Sequence, residues 1–151
     1  MTEQPAIYRG FKDKIEDGDS KNIFRHKSRS PIDTNQHVHE FADNWFNDRF
    51  KIFARSQTVI CSTDMDQALR YKSPTGSIAE IIPRGSYKII YSRNVKDFID
   101  YAIEIDEISE SHVDRWLQSK NYQCVADIKL IPINFKGEIM VDCEEFFVRN
   151  V

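Results

Sequence analysis

Cysteine is scarce in this chain. Cys61, Cys124 and Cys143 are the only three, and no two stand in a C-x-x-C pair. Three thiols cannot all pair, and their spacing makes no metal knuckle, so they read as small core residues on strands. Histidine offers no substitute. Of the four, His37 and His39 are two residues apart and point to different faces of a helix. No metal site is expected. Long apolar runs are also missing: the longest clusters are four or five residues, such as 128–132, and Lys129 interrupts that one. A membrane span needs roughly 20 apolar residues in sequence. Met1-Thr2-Glu3-Gln4 lacks the basic and apolar regions of a signal peptide. These absences lead to the expectation of a cytoplasmic chain with no membrane partner. Glycine and proline are few as well, five each, and the chain has no repeat and no low-complexity tract.

What is present suits one domain spanning 1–151. Hydrophobic residues are 40% and aromatics 12%, enough for a packed core rather than a disordered tail. The net charge of −3 hides an asymmetry. Arg9, Lys12, Lys14, Lys21, Arg25, Lys27 and Arg29 make the start basic, while the last third is acidic. The basic stretch is either a solvated loop or a surface facing phosphate, of a dinucleotide or a nucleic acid.

Pro5 to Tyr8 reads as a short strand closed by Arg9-Gly10. Residues 12–34 are polar, with Gly18, Ser28, Ser30 and Pro31, and read as a long loop. A loop of that length in a compact domain is functional or disordered. Asp33 or Thr34 offers an N-cap, with Gln36 three residues after Asp33 as in a capping box. Val38, Phe41, Ala42, Trp45, Phe46 and Phe50 then recur at helical spacing and form one core face. Thr58 to Cys61 reads as a buried strand, and Asp64 caps a short helix carrying Ala68, Leu69 and Tyr71. Two strand-like runs, 78–82 and 87–91, flank the turn signal Pro83-Arg84-Gly85-Ser86. Residues 95–103 return to helical spacing, and Ser109 or Ser111 starts another helix. The chain ends in strands at 125–131, 138–141 and 146–148. Strands at both ends with helices between predict an α+β domain with a mixed sheet and two to four flanking helices.

Three segments carry the functional reading. In Ile7-Tyr8-Arg9-Gly10 an arginine follows an apolar strand. A guanidinium there holds a phosphate bidentately, and the glycine admits a ligand to the backbone; a surface ion pair is the plainer use of Arg9. In Ser62-Thr63-Asp64 the hydroxyls at a strand end either orient a sugar or a carboxylate, or cap the helix that follows. In Lys136-Gly137-Glu138-Ile139-Met140-Val141 a carboxylate begins a late strand. That is a rigid place for catalysis, or an exposed strand-edge charge.

In this order the three segments resemble the ADP-ribosyltransferase superfamily, in its arginine–serine–glutamate branch. The resemblance spans residues 7–148. Ile81-Ile82-Pro83-Arg84-Gly85 is similar to the branch's strand-Pro-Gly segment, and 139–141 followed by 146–148 looks like its closing hairpin. Two positions depart from the pattern: Asp64 replaces the third residue of the serine motif, and Lys136 stands where the branch has Glu or Gln. The segments Arg29-x-Pro31-x-Asp33-Thr34 and Ala54-Arg55-Ser56-Gln57 also look similar to small proteins of tailed bacteriophages.

The resemblance implies that NAD is the substrate and that ADP-ribose passes to a protein or nucleic-acid target, in the manner of a phage factor acting on its host. It implies that Glu138 bonds the ribose 2′-hydroxyl and stabilises an oxocarbenium-like transition state. Arg9 then holds the diphosphate, with Gly10 beside it. Ser62 positions Glu138 or the ribose, and Thr63 follows in the same motif. Tyr71 is placed to stack on nicotinamide, or is plain core. Arg55, Arg25 and Arg29 are further phosphate contacts. The competing expectation is a non-catalytic viral protein of the same fold that inhibits a host protein.

Overall fold

The computed structural model describes residues 4–151. The first three residues, on which the leader-peptide reading partly rests, lie outside the described residues. Among the described residues eight strands form one sheet: β1 (Tyr8–Phe11), β2 (Gly18–Lys21), β3 (Val59–Ser62), β4 (Ser77–Arg84), β5 (Lys88–Tyr91), β6 (Gln123–Val125), β7 (Glu138–Asp142) and β8 (Glu145–Asn150). Four α-helices accompany them: α1 (Gln36–Phe50), α2 (Met65–Leu69), α3 (Tyr101–Glu104) and α4 (Glu110–Ser119). The order across the sheet is β2-β8-β4-β1-β3-β7-β5-β6. The chain is an α+β fold as expected, but the expected mixed sheet is antiparallel at every pairing.

The sheet consists of two four-stranded halves. β1 meets β3 through one residue pair, Tyr8 with Ser62, whereas β1 and β4 pair over four residues. Alternation then sorts the side chains. Ile139 and Val141 of β7 and Cys61 of β3 enter a core shared with Ile81 and Val148 from the other half. Met140 and Ile90 face the opposite way, into a second core with Val38, Ala42 and Phe46 of α1, Phe98, and Val113, Trp116 and Leu117 of α4. Phe46 is wholly buried and packs edge-on to Tyr122 with centroids 4.9 Å apart. Truncating such an aromatic costs about 3–5 kcal/mol.

The local readings of the helices hold with shifted boundaries. Asn35, not Asp33 or Thr34, caps α1: its side chain accepts from His37 N and Val38 N. Asp64 caps α2 and Ser109 caps α4, as expected. The helical spacing over 95–103 resolves into a 3-10 turn at Phe98–Asp100 leading into α3. The strand expected over 125–131 stops at Val125, because Asp127 caps a 3-10 turn at Ile128–Leu130.

Three larger expectations fail. The polar segment 12–34 is not one loop: β2 lies inside it and pairs with β8 at the sheet edge. A 3-10 turn follows at Ile23–Arg25, and the buried Asn22 amide donates to the carbonyls of Gln57 and Cys143. The closing hairpin is absent too. β7 pairs with β3 and β5, while β8 pairs with β4 and β2, so the last two strands lie in different halves. Arg9-Gly10, expected just beyond a strand, lie inside β1. Among the described residues no helix is long and apolar enough to cross a membrane, and no cluster of side chains suits a metal ion.

Candidate functional site

Strand register brings two of the three key segments together. Ser62 ends β3 directly opposite Glu138, which begins β7, and both lie on the face that carries Ile60 and Met140. Cross-strand partners have Cβ atoms about 4.5–5.5 Å apart, so the two side chains are neighbours by backbone geometry alone. Glu138 is not an edge charge, since β7 is flanked by β3 and β5. Arg9 reaches the same place from β1 across the seam between the halves, where its Nη1 donates to Ile60 O at 2.6 Å.

Arg9, Ser62 and Glu138 line one cavity of about 470 Å³. Arg29, Arg55, His39, Gln67, Tyr71 and Gly10 line it too, and Lys12, Asp33 and Asp97 complete its charged lining. Arg55 is buried, and its Nη1 donates to Glu138 Oε1 at 2.6 Å. Its guanidinium lies 4.1 Å from the Phe98 ring centroid, and its Nε has no partner. Arg29 is held by the carbonyls of Arg55 and Thr58 and lies 3.9 Å from the Phe24 ring centroid. Guanidinium groups tolerate such placement because they are weakly hydrated and stack on aromatic faces.

Clustering these cations has an electrostatic cost. Burial, then the charges of Arg9 and Arg55, pull Arg29 down to about 9. Burial likewise lowers Arg9. The same dryness lifts the Glu138 carboxyl above its ordinary value; Arg55 opposes the rise and Asp97 adds to it. Burial also lowers His39, which α1 presents to the cavity. The cleft therefore sets three guanidiniums and Lys12 against the carboxylates of Glu138, Asp33 and Asp97, a small excess of positive charge.

Within the Ser62-Thr63-Asp64 segment Asp64 caps α2, one of the two readings expected, while the two hydroxyls do other work. Ser62 Oγ donates its one proton to Gln67 Oε1 at 2.5 Å, lies 3.2 Å from Gly137 O, and accepts from Asp64 N. It has no hydrogen bond to Glu138. Thr63 is not part of the cavity lining: its Oγ1 donates to Phe135 O and accepts from Gly137 N, which pins the turn before β7. Gly10 lines the cavity, but α2 is what requires it. A Cβ there would meet Lys72 N at 2.7 Å and the Ala68 carbonyl.

Tyr71 is neither core nor free. It is 46% exposed at the cavity, and its hydroxyl donates to Asp97 Oδ2 at 3.0 Å. Arg25 lies elsewhere, paired with Asp142 and Glu144. The residues that sequence reasoning missed are His39, Gln67 and Asp97. Gln67 is 2% exposed and links Ser62 to the Lys96 carbonyl. A polar residue on the inner face of a capped helix is the one signal that marks it.

A second, open groove of about 370 Å³ lies alongside, lined by Arg93, Lys96, Asn134, Phe135 and Lys136. The segments 96–97 and 136–138 border both spaces, and Glu138 N donates to Lys96 O at 2.8 Å. Lys96 pairs with Asp64 at 3.0 Å, which with its hydrogen bond holds the Asp64 carboxyl below its ordinary value. Searches against protein-family models, curated proteins and solved structures find no match to this chain.

Proposed function

We propose that the cleft binds NAD and that the chain is an ADP-ribosyltransferase-like enzyme. The observation that carries this reading is the convergence of Arg9, Ser62 and Glu138 on one cavity, from segments far apart in sequence. In support, the cavity offers what a dinucleotide needs. Arg9 and Arg29 supply guanidiniums for a diphosphate, and Tyr71 and Ile99 supply partly exposed apolar surface for a ring.

In this reading the nicotinamide–ribose C–N bond breaks, nicotinamide leaves with the bonding pair, and the acceptor's nucleophile forms the new bond to the anomeric carbon. Positive charge builds on the ribose as the bond lengthens. Glu138 supplies the matching negative charge from a fixed strand, in a cleft dry enough for that charge to count. The groove beside it carries Lys136, Arg93 and Lys96, so like-charge repulsion disfavours an arginine acceptor and the groove suits an anionic one. Arginine analogues are therefore expected to remain unmodified when NAD is turned over. Efficient modification of them would remove Lys136 from acceptor choice.

The decisive experiment incubates purified chain with labelled NAD and follows nicotinamide release and transfer of label to a bacterial lysate. Glu138→Gln should slow release by roughly 10²–10³-fold, the scale of one lost electrostatic group. Equal rates for the two proteins would exclude Glu138 from the chemistry. Binding of NAD with no release would favour the alternative, a binding protein that uses the fold without turnover.

A further inference from the structure

We propose that Arg55 is the positioning residue of Glu138; this rests on the reading of Glu138 as the catalytic carboxylate. The segment that presents Arg55 is fixed at several points. Asp43 of α1 accepts from Arg55 N at 3.0 Å, from Ser56 N at 3.1 Å and from Ser56 Oγ at 2.5 Å. Arg55 O accepts from Arg29 Nη1 at 3.0 Å. The side chain then stacks on Phe98 and donates to Glu138 at 2.6 Å, with 8% and 11% of the two side chains exposed. A guanidinium placed for its own hydrogen bonding would not leave Nε without a partner. Its position instead follows the carboxylate and the ring.

The contact also uses one oxygen only. Nη1 meets Oε1, so the pair is not the bidentate fork that would occupy both carboxylate oxygens. A carboxylate gripped through one oxygen is anchored at that point, and the backbone of Phe98 is a second polar neighbour of the Glu138 carboxyl. Ser62 is not placed to anchor it, because its one hydroxyl proton goes to Gln67. Arg55 thus takes over the orienting task that the sequence pattern suggests for the serine.

The test uses the full chain with carbon-13 at glutamate carboxyls, the Glu138 signal being assigned by its loss in Glu138→Gln. Charged and titratable groups around Glu138 are Arg55, Arg29, Asp97, Tyr71, Tyr122, Cys61 and His39. Only Arg55 is altered. In Arg55→Gln the Glu138 titration midpoint should move upward, and in Arg55→Lys it should move the same way by less. The lysine variant keeps the charge and decides the matter if the glutamine variant does not fold. In turnover, Arg55→Gln should lower kcat about 10²-fold, as a misplaced group does, with the KM for NAD changed by less than about threefold. The lysine variant should recover part of kcat. An unmoved Glu138 midpoint would overturn the proposal, and so would a raised KM at unchanged kcat, which would make Arg55 a ligand contact. If wild type neither binds nor cleaves NAD, the reading of the cleft fails, while the titration still decides whether Arg55 holds Glu138.

Discussion

Strand β7 carries an arginine–carboxylate pair at each end, and the two pairs differ above all in exposure. Glu138 and Asp142 lie on the same face of the strand, four residues apart. At one end Arg55 meets Glu138 with both side chains about nine-tenths buried. At the other, Arg25 meets Asp142 at 2.9 Å with 36% of the arginine side chain exposed, and Glu144 stands 3.6 Å away as a third member. Both are guanidinium–carboxylate pairs at similar distances, and exposure to water is the main difference. Screening leaves an exposed pair worth about 0–1 kcal/mol, whereas a dry pair exposes each member to a large penalty if the other is lost. Chemistry that uses a carboxylate's charge belongs at the dry end.

The sharpest way to break this comparison is to remove the two arginines in turn. Arg55→Ala should cost about 3–5 kcal/mol in urea unfolding, because it strands a buried carboxylate. A smaller effect should come from ligand: pyrophosphate at about 100 times its Kd should stabilise the chain by about 2.7 kcal/mol. It would do so by relieving the repulsion among Arg9, Arg29 and Arg55, and Arg29→Ala should reduce that gain. No shift in Tm with pyrophosphate would count against the cleft as an anion site.

Glu138 sets a pH dependence with a definite sign. Its folded value is raised above 4.5 by burial, so the folded state holds the proton more tightly than the unfolded one. Its contribution to stability is greatest below that value and is lost as pH rises through the folded value. Tm measured against pH should therefore fall more, across that window, in wild type than in Glu138→Gln. On the proposed function, NAD cleavage should run the other way, with an acid limb above the ordinary glutamate range, since that proposal requires Glu138 ionised. The smallest effect is at the wet end: Arg25→Ala should cost less than about 1 kcal/mol. A loss there as large as that from Arg55→Ala would end the contrast between the two sites.

Much of the local structure was legible in the residues. Apolar spacing located α1, and Asp64 and Ser109 marked the starts of α2 and α4. Strand β2 was not legible because Gly18-Asp19-Ser20-Lys21 has no apolar alternation; it is held at the edge by backbone bonds to β8. The partners of β7 and β8 were equally hidden. Adjacent strands invite a hairpin, and only long-range pairing sends them to different halves. The candidate site divides in the same way. Motif order located Arg9, Ser62 and Glu138, whereas Arg55 against Glu138 and Gln67 against Ser62 are contacts between distant segments, to which no spacing rule applies.

The single pair between Tyr8 and Ser62 has a consequence for how the molecule opens. The two halves of the sheet meet there with little ladder between them, and the cavity lies across that line, with Arg9 on one side and Glu138 on the other. Proteins open in cooperative units, and although the two halves share a core, few backbone bonds tie them along this line. A ligand gripped from both banks would act as a clasp across this boundary. Amide hydrogens near Tyr8 and Ser62 would then exchange early in the free chain and slow together once the cleft is filled, while those deep in α1 would keep one rate.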